Sequence, residues 1–275
     1  MRPLMLPSDV VSAIKAARAR LRGDYDEDEW GYDAEFAEAV QPILGFLYDR
    51  WWRVEATGLE HVPRDGRALI VANHAGVLPW DASMMAVAIR RATQRQPRFL
   101  VLNWAFELPW ASVAIRKFGG VPASPFNALR LLQDDHLAMV FPEGAKGVGK
   151  PWSQRYRLER FGRGGFVDIA LRAKAKIVPC AVVGSEEIYP KIGEVPGLAR
   201  LLGAPYMPVT PTFPLLGPLG FVPLPSRWRI EFGEPIAIEG DPEDRSEVLA
   251  LSEHVRDTIQ SKVFENLIQR QGAFI

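Results

Sequence analysis

The 275-residue chain has one cysteine, four histidines and no excess charge of either sign, with 33 Lys+Arg balanced by 33 Asp+Glu. A single cysteine, Cys180, forms no internal disulfide, which favours a reducing compartment. The histidines at 61, 74, 136 and 254 are scattered, so no zinc-ligand spacing appears. A protein that binds nucleic acid through phosphate neutralisation carries a basic excess; this one does not, and no nucleic-acid partner is expected. No apolar run at the N-terminus resembles a signal peptide. The longest uncharged stretch, Leu201–Ser226, contains seven prolines. Each removes an N–H and disfavours helix at the residue before it, which excludes a membrane-spanning helix. The stretch reads either as a loop folded over the core or as an apolar surface for a bilayer or lipid cleft. Phe213, Leu215, Leu216, Leu219 and Phe221 would then be its contacts.

What is present is ordinary globular composition, 48% hydrophobic and 24% charged. Residues 1–23 hold five bases and one acid. A helix from Ser8 places Val10, Ile14, Ala17 and Leu21 on one stripe beside Lys15, Arg18 and Arg22. It would pack on its own domain or lie on an anionic membrane. Residues 24–38 hold eight acids and no base, which reads as a solvated linker or helix start. A second helix follows, with Phe36, Val40, Leu44, Leu47 and Trp51 in register.

From residue 52 short apolar strands alternate with helices. The expected strands are Ala68–Ala72, Phe99–Leu102, Ala138–Phe141, Ile177–Val183 and Trp228–Phe232. The expected helices are Ala82–Thr93, Pro109–Phe118, Pro125–Asp134, Gly164–Arg172 and Glu243–Gln269. This order predicts an α/β fold with a largely parallel central sheet flanked by helices. The organisation is a helical extension over 1–51 and one domain over 52–275.

Gly144 to Lys150 fits the first seven positions of a phosphate-binding P-loop. The eighth, where a hydroxyl must hold magnesium, is Pro151. No G-x-S-x-G nucleophile elbow is present. Chemistry concentrates instead where the strand Ala68–Ala72 ends on Asn73-His74, with Asp81 seven residues beyond His74. Open parallel sheets place function at their carboxyl edge. A carboxylate that fixes the tautomer of a histidine leaves the other ring nitrogen to take a proton. A strand-end histidine beside a helix-capping aspartate also suits a purely structural pair. The second cluster is Phe141-Pro142-Glu143-Gly144, followed by six cations, Lys146, Lys150, Arg155, Arg157, Arg160 and Arg163, against Glu159 alone. It reads as a solvated basic face or a phosphate pocket, to which Gly162, Gly164 and Gly165 would add helix-terminal N–H groups.

Four blocks, Asn73-His74 with Asp81, Phe141-Pro142-Glu143-Gly144, Arg160-Phe161-Gly162-Arg163-Gly164-Gly165-Phe166 and Ile177-Val178-Pro179, stand in the order of those of the glycerolipid acyltransferases. Over roughly residues 52–240 the chain resembles the lysophospholipid (1-acylglycerol-3-phosphate) acyltransferase superfamily. The resemblance implies the glycerol-3-phosphate acyltransferase-like fold and transfer of a fatty acyl group to a lipid hydroxyl. The donor is acyl-CoA or acyl carrier protein, and no cofactor or metal is implied. His74 would be the general base and Asp81 its orienter. Asn73, Glu143, Gly144, Lys146, Arg160 and Arg163 would contact substrate. Such an enzyme would work in the cytoplasm, peripherally on the inner face of a membrane.

Two departures stand out. Six residues separate His74 from Asp81 where the family has four, so a turn through Gly76 and Pro79 must restore the pair. Ser124 stands where many phosphate-accepting members carry an arginine. The wording from His74 to Asp81, and Val121-Pro122-Ala123-Ser124-Pro125-Phe126-Asn127, look closer to a branch near the mono- and diacylglycerol acyltransferases. The acceptor is therefore lysophosphatidic acid, a neutral glycerolipid or a glycolipid. A thioester hydrolase using the same histidine and a non-catalytic lipid-binding protein remain as rivals.

Overall fold

In a computed structural model, residues 7–21, 23, 26–75, 80–107, 111–195, 197 and 207–274 are described. Strand β1 is Glu55–Thr57, β2 Ala68–Ala72, β3 Arg98–Val101, β4 Gly120–Pro122 and β5 Leu137–Val140. Strand β6 is Lys176–Val183, β7 Gly193–Glu194, β8 Pro208–Val209 and β9 Arg229–Phe232. Helix α1 is Ser8–Arg20, α2 Ala34–Phe46, α3 Trp80–Thr93, α4 Trp104–Glu107 and α5 Ala111–Lys117. Helix α6 is Pro125–Gln133, α7 Ala145–Val148, α8 Gly165–Ala173 and α9 Arg245–Gln269.

Seven strands form one sheet in the order β1-β9-β6-β2-β5-β3-β4. Every pairing is parallel except β6 with β9. All five residues of β2 are buried, so this strand needs cover on both faces and takes a central place. Its pleat divides the core. Ala68, Ile70 and Ala72 join Met84, Met85 and Ile89 of α3 on one side. Leu69 and Val71 join Leu132 of α6, Val167 of α8 and Val255 and Ile259 of α9 on the other. Each such buried aliphatic side chain contributes about 1.5–3 kcal/mol, so the two layers hold the central strands in register. The expected α/β class with a largely parallel sheet is what the chain adopts. The expected elements from β2 onward occur with ends shifted by at most two residues, while the two- and three-residue strands β1, β4, β7 and β8 escape periodicity altogether. Residues 108–110, where the fifth helix was expected to begin, lie outside those described.

The N-terminal segment departs from expectation in three ways. The apolar stripe of α1 is split, because Val10, Ala13 and Ala17 face inward toward α2 while Ile14 is exposed. The acidic run is no solvated linker. Glu27 pairs with Lys117, Asp28 with Arg98 and Glu29 with Arg130, strapping the segment across the β3–β4 end of the sheet. Asp33, fully buried, caps α2 through the Phe36 N–H at 2.8 Å and accepts from Arg20 and Lys117. Burial pushes its carboxyl up, but these donors outweigh it and hold it below the usual range. Finally, a π-helical turn over Leu47–Trp51 follows α2, closed by Trp52 N–H to Leu47 C=O at 2.8 Å. The wider turn moves the register, so Tyr48 and Trp52 enter the core and Trp51 is only partly buried.

Candidate active site

Strands β2 and β5 lie side by side in parallel, with Val71 opposite Val140. Their extensions, Asn73-His74 and Phe141-Pro142-Glu143, therefore leave the sheet together at its carboxyl edge. Asn73 binds the neighbouring strand on the other side. Its Nδ2 donates to the Val182 carbonyl at 2.8 Å and its Oδ1 accepts the Val182 N–H at 2.7 Å. Both amide atoms are thus engaged in joining β2 to β6, at a position that is 1% exposed.

His74 and Asp81 meet despite the longer spacing. His74 Nδ1 lies 2.6 Å from Asp81 Oδ2. Gly76 to Pro79, the turn expected to allow this, lie outside the described residues. Asp81 is fully buried in the first turn of α3 and also accepts the N–H groups of Ala75 (3.0 Å) and Ala82 (2.8 Å). A carboxylate at this place takes its hydrogen bond from Nδ1–H, and in that tautomer of the neutral ring Nε2 is the acceptor. Nε2 has no hydrogen-bond partner among the described residues. The Phe141 ring tilts against the imidazole at 4.5 Å between centroids and fixes its plane.

Glu143 stands behind the histidine. Its Oε1 accepts the His74 main-chain N–H at 3.0 Å. Its Oε2 accepts Glu159 N–H at 2.7 Å and Lys150 Nζ at 3.1 Å. The carboxylate of Glu143, a residue expected with Gly144 to line an acceptor site, is buried and takes three protein donors. Gly144 sits in the tight turn beyond, with φ +57°. Gly147 of α7 approaches so closely that a Cβ there would lie 2.7 Å from Glu143 Cβ and 3.1 Å from the His74 carbonyl. Only glycine lets α7 pack against both.

The six expected cations separate. Lys150 is buried, and its Nζ bonds Glu143, the Arg157 carbonyl at 3.0 Å and Glu186 Oε1 at 3.4 Å. Burial lowers its pKa, but the two glutamates outweigh this and hold it above the usual lysine value. Glu186 also accepts Tyr156 N–H at 2.9 Å. Burial lifts its carboxyl to about 7 against the opposing pull of Lys150. Lys146, Arg155, Arg157, Arg160 and Arg163 are exposed, and none forms an ion pair among the described residues. Two of the three glycine N–H groups expected at an anion site are engaged. Gly162 N–H and Gly164 N–H donate within their own turn, to Arg160 and Phe161 carbonyls. Ser124 caps α6, its Oγ accepting Asn127 N–H at 3.0 Å.

Lys150 and Glu186 are the members of this network that sequence reasoning missed in role. Lys150 looked like one more surface cation, and Glu186 carried no motif. The available signal was their position, each shortly after a strand that ends at the carboxyl edge. Among the described residues no three His, Cys, Asp or Glu side chains converge as metal ligands would.

Comparison with known proteins gives a consistent pattern. A family model described as Acyltransferase matches residues 53–183. The chain is 50% identical over 279 aligned positions to an uncharacterized protein of Mycobacterium tuberculosis, spanning 98% of this chain and 78% of that one. It is 27% identical to the human "DGAT1/2-independent enzyme synthesizing storage lipids", spanning 84% of this chain and 68% of that one. Its fold is similar to the crystal structure of the 1-acyl-sn-glycerophosphate acyltransferase PlsC from Thermotoga maritima. That match has a TM-score of 0.54 and 18% identity, and it covers 93% of this chain and 88% of the other.

Proposed function

Starting from the fact that this chain belongs to the Acyltransferase family, we propose that it transfers a fatty acyl group from an acyl thioester to the hydroxyl of a glycerolipid. The observation that carries this reading is the 2.6 Å pairing of His74 Nδ1 with buried Asp81, with Nε2 left open at the carboxyl edge of the sheet. In the reaction Nε2 takes the proton of the acceptor hydroxyl as its oxygen attacks the thioester carbonyl. The tetrahedral adduct collapses, the ester forms and the C–S bond breaks. The imidazolium, stabilised by Asp81, returns its proton to the departing thiolate. General-base assistance of this kind supplies about 10²–10⁴-fold.

The donor is acyl-CoA or acyl carrier protein, and the exposed cations Lys146, Arg160 and Arg163 suit its phosphate groups. No cofactor or metal enters this scheme. Two observations favour a neutral acceptor over a phosphorylated one. The hydroxyl of Ser124, at the position where many phosphate-accepting members of the resembled superfamily carry arginine, is engaged in capping α6. The human relative is named for the synthesis of storage lipids. Since donor chain and acceptor are both membrane-partitioning molecules, the enzyme works at a membrane surface, on the cytoplasmic inner face.

The test is a panel of purified protein with palmitoyl-CoA and lysophosphatidic acid, monoacylglycerol, diacylglycerol or no acceptor, with products identified by mass spectrometry. Ester formed on mono- or diacylglycerol supports the reading. Ester on lysophosphatidic acid alone corrects the acceptor class. Free fatty acid at an acceptor-independent rate makes the protein a thioesterase, and no turnover with any acceptor points to lipid binding without catalysis.

A further inference from the structure

The segment from Met207 to Ser226 carries an apolar surface that no described residue covers. Leu215 is 83% exposed, Leu219 69%, and Leu216, Phe221 and Val222 are exposed as well. Ile192, 65% exposed, is tied to the same segment, its N–H donating to the Val209 carbonyl at 2.9 Å. Phe213, expected as a contact, is partly buried and packs its ring on Phe221 at 4.7 Å. Exposed leucines on a mobile tail would mean little. These stand on a fixed base: Trp51 Nε1 and Trp52 Nε1 donate to the Pro223 and Leu224 carbonyls, and Leu224 N–H donates to Ile188.

The backbone of the patch is unusually self-sufficient. Thr210 Oγ1 accepts the N–H groups of Thr212 and Phe213, and Thr212 Oγ1 donates to the Gly220 carbonyl. Leu216, Gly217, Leu219 and Val222 each donate to a carbonyl inside the loop. Pro211, Pro214, Pro218 and Pro223 have no N–H to satisfy. A surface that enters hydrocarbon gains by hiding its donors, and these internal bonds and prolines hide several of them. Cations sit beside it. Arg155 stacks over Trp152 at 4.4 Å, and Trp152 N–H donates to the Lys191 carbonyl next to Ile192. Arg155 has no carboxylate partner among the described residues.

We propose that this face, Ile192 with Leu215, Leu216, Leu219, Phe221 and Val222, docks the enzyme on a lipid bilayer. Arg155 contacts anionic headgroups at its rim. The proposal deepens the membrane-surface part of the proposed function and rests on it. Two hydrogen bonds link the face to the helix that carries Asp81. Phe221 C=O accepts from Tyr189 Oη at 2.7 Å, and Tyr189 Oη accepts from Trp80 Nε1 at 3.3 Å, one residue before Asp81. Docking there brings the bilayer to the side of the fold where His74 is held.

The experiment is flotation of the full chain with phosphatidylcholine vesicles containing or lacking phosphatidylglycerol, read without turnover. Wild type and His74→Ala are expected to float equally. Leu215→Asp/Leu219→Asp, both at exposed positions, should lose binding by roughly a hundredfold while melting and activity on detergent-dispersed substrate stay unchanged. Arg155→Glu should weaken binding only to the anionic vesicles. Flotation of the double variant equal to wild type overturns the proposal. So does a wild type that fails to float and elutes as a dimer that the double variant converts to monomer, which assigns the face to a second copy. Ester formation by a wild type that does not float would reject the docking face while leaving the acyltransferase reading intact.

Discussion

Glu143 Oε1 accepts the main-chain N–H of His74 at 3.0 Å, although the two residues lie 69 positions apart on different strand ends. The carboxylate therefore acts on the histidine's position and not on its ring. Lys150 and the Glu159 N–H saturate its other oxygen. Glu143→Gln keeps the shape but points an amide N–H₂ at a donor on one side. Turnover should fall by roughly 10–10³-fold, with stability lowered by about 1–3 kcal/mol. Kinetics and denaturant unfolding on the same preparation check this. Unchanged turnover would remove Glu143 from the account.

Asp81→Asn tests the orienter. An asparagine can offer either an acceptor or a donor to Nδ1, and the donor pose places the ring proton on the wrong nitrogen. Turnover is expected to drop by about 10²–10⁴-fold. Turnover equal to wild type would mean that the 2.6 Å contact is structural only.

Lys150 is the keystone of a buried trio with Glu143 and Glu186. Removing one partner from a buried pair leaves an unpaired charge and costs about 3–5 kcal/mol. Lys150→Met should therefore lower stability strongly, whereas Arg157→Met, at an exposed cation without an ion pair among the described residues, should leave stability within about 0.5 kcal/mol of wild type, as denaturant unfolding would measure. Equal effects would show that the six cations act as one surface.

Glu186 gives the trio a pH dependence. Its carboxyl titrates near 7 in the folded protein, above its ordinary value of 4.5, because burial disfavours the charge. A raised acid stabilises the fold when protonated. Its contribution is full below 4.5 and is lost as pH rises through about 7. Glu186→Gln removes this loss. The variant's stability relative to wild type should improve by about 1–3 kcal/mol between pH 4.5 and pH 8. Denaturant unfolding at the two pH values measures it, and a constant difference would contradict the assignment.

How much of this was legible in the sequence depends on range. His74 and Glu143 stand just past strand ends and Asp81 opens the helix after the first of them, and the alternation of short apolar strands with helices places such ends on one edge. Their proximity followed from topology. The 2.6 Å contact itself did not, because it runs through a turn whose path no spacing rule fixes. Asn73 and Glu143 looked like substrate contacts, but a polar side chain at a strand end serves the neighbouring strand equally well. Both are engaged by Val182 and by the His74 main chain. The acidic run over 24–38 read as solvated since its partners, Arg98, Lys117 and Arg130, are 70 or more positions away. Charge patterning within a window carries no information about partners at that distance. The π-turn before Trp52 is invisible to a 3.6-residue period for the same reason: one added residue shifts every later side chain.

The most direct test of the central claim is a single-turnover reaction of acyl-labelled palmitoyl-CoA with wild type and His74→Ala in the presence of monoacylglycerol. The account predicts acceptor-dependent transfer of the label to a new ester by wild type. In the variant this should fall by about 10³-fold or more while melting and thioester binding are retained. Ester formation by His74→Ala at the wild-type rate would show that the histidine is not the base, and the pairing with Asp81 would then belong to the scaffold alone.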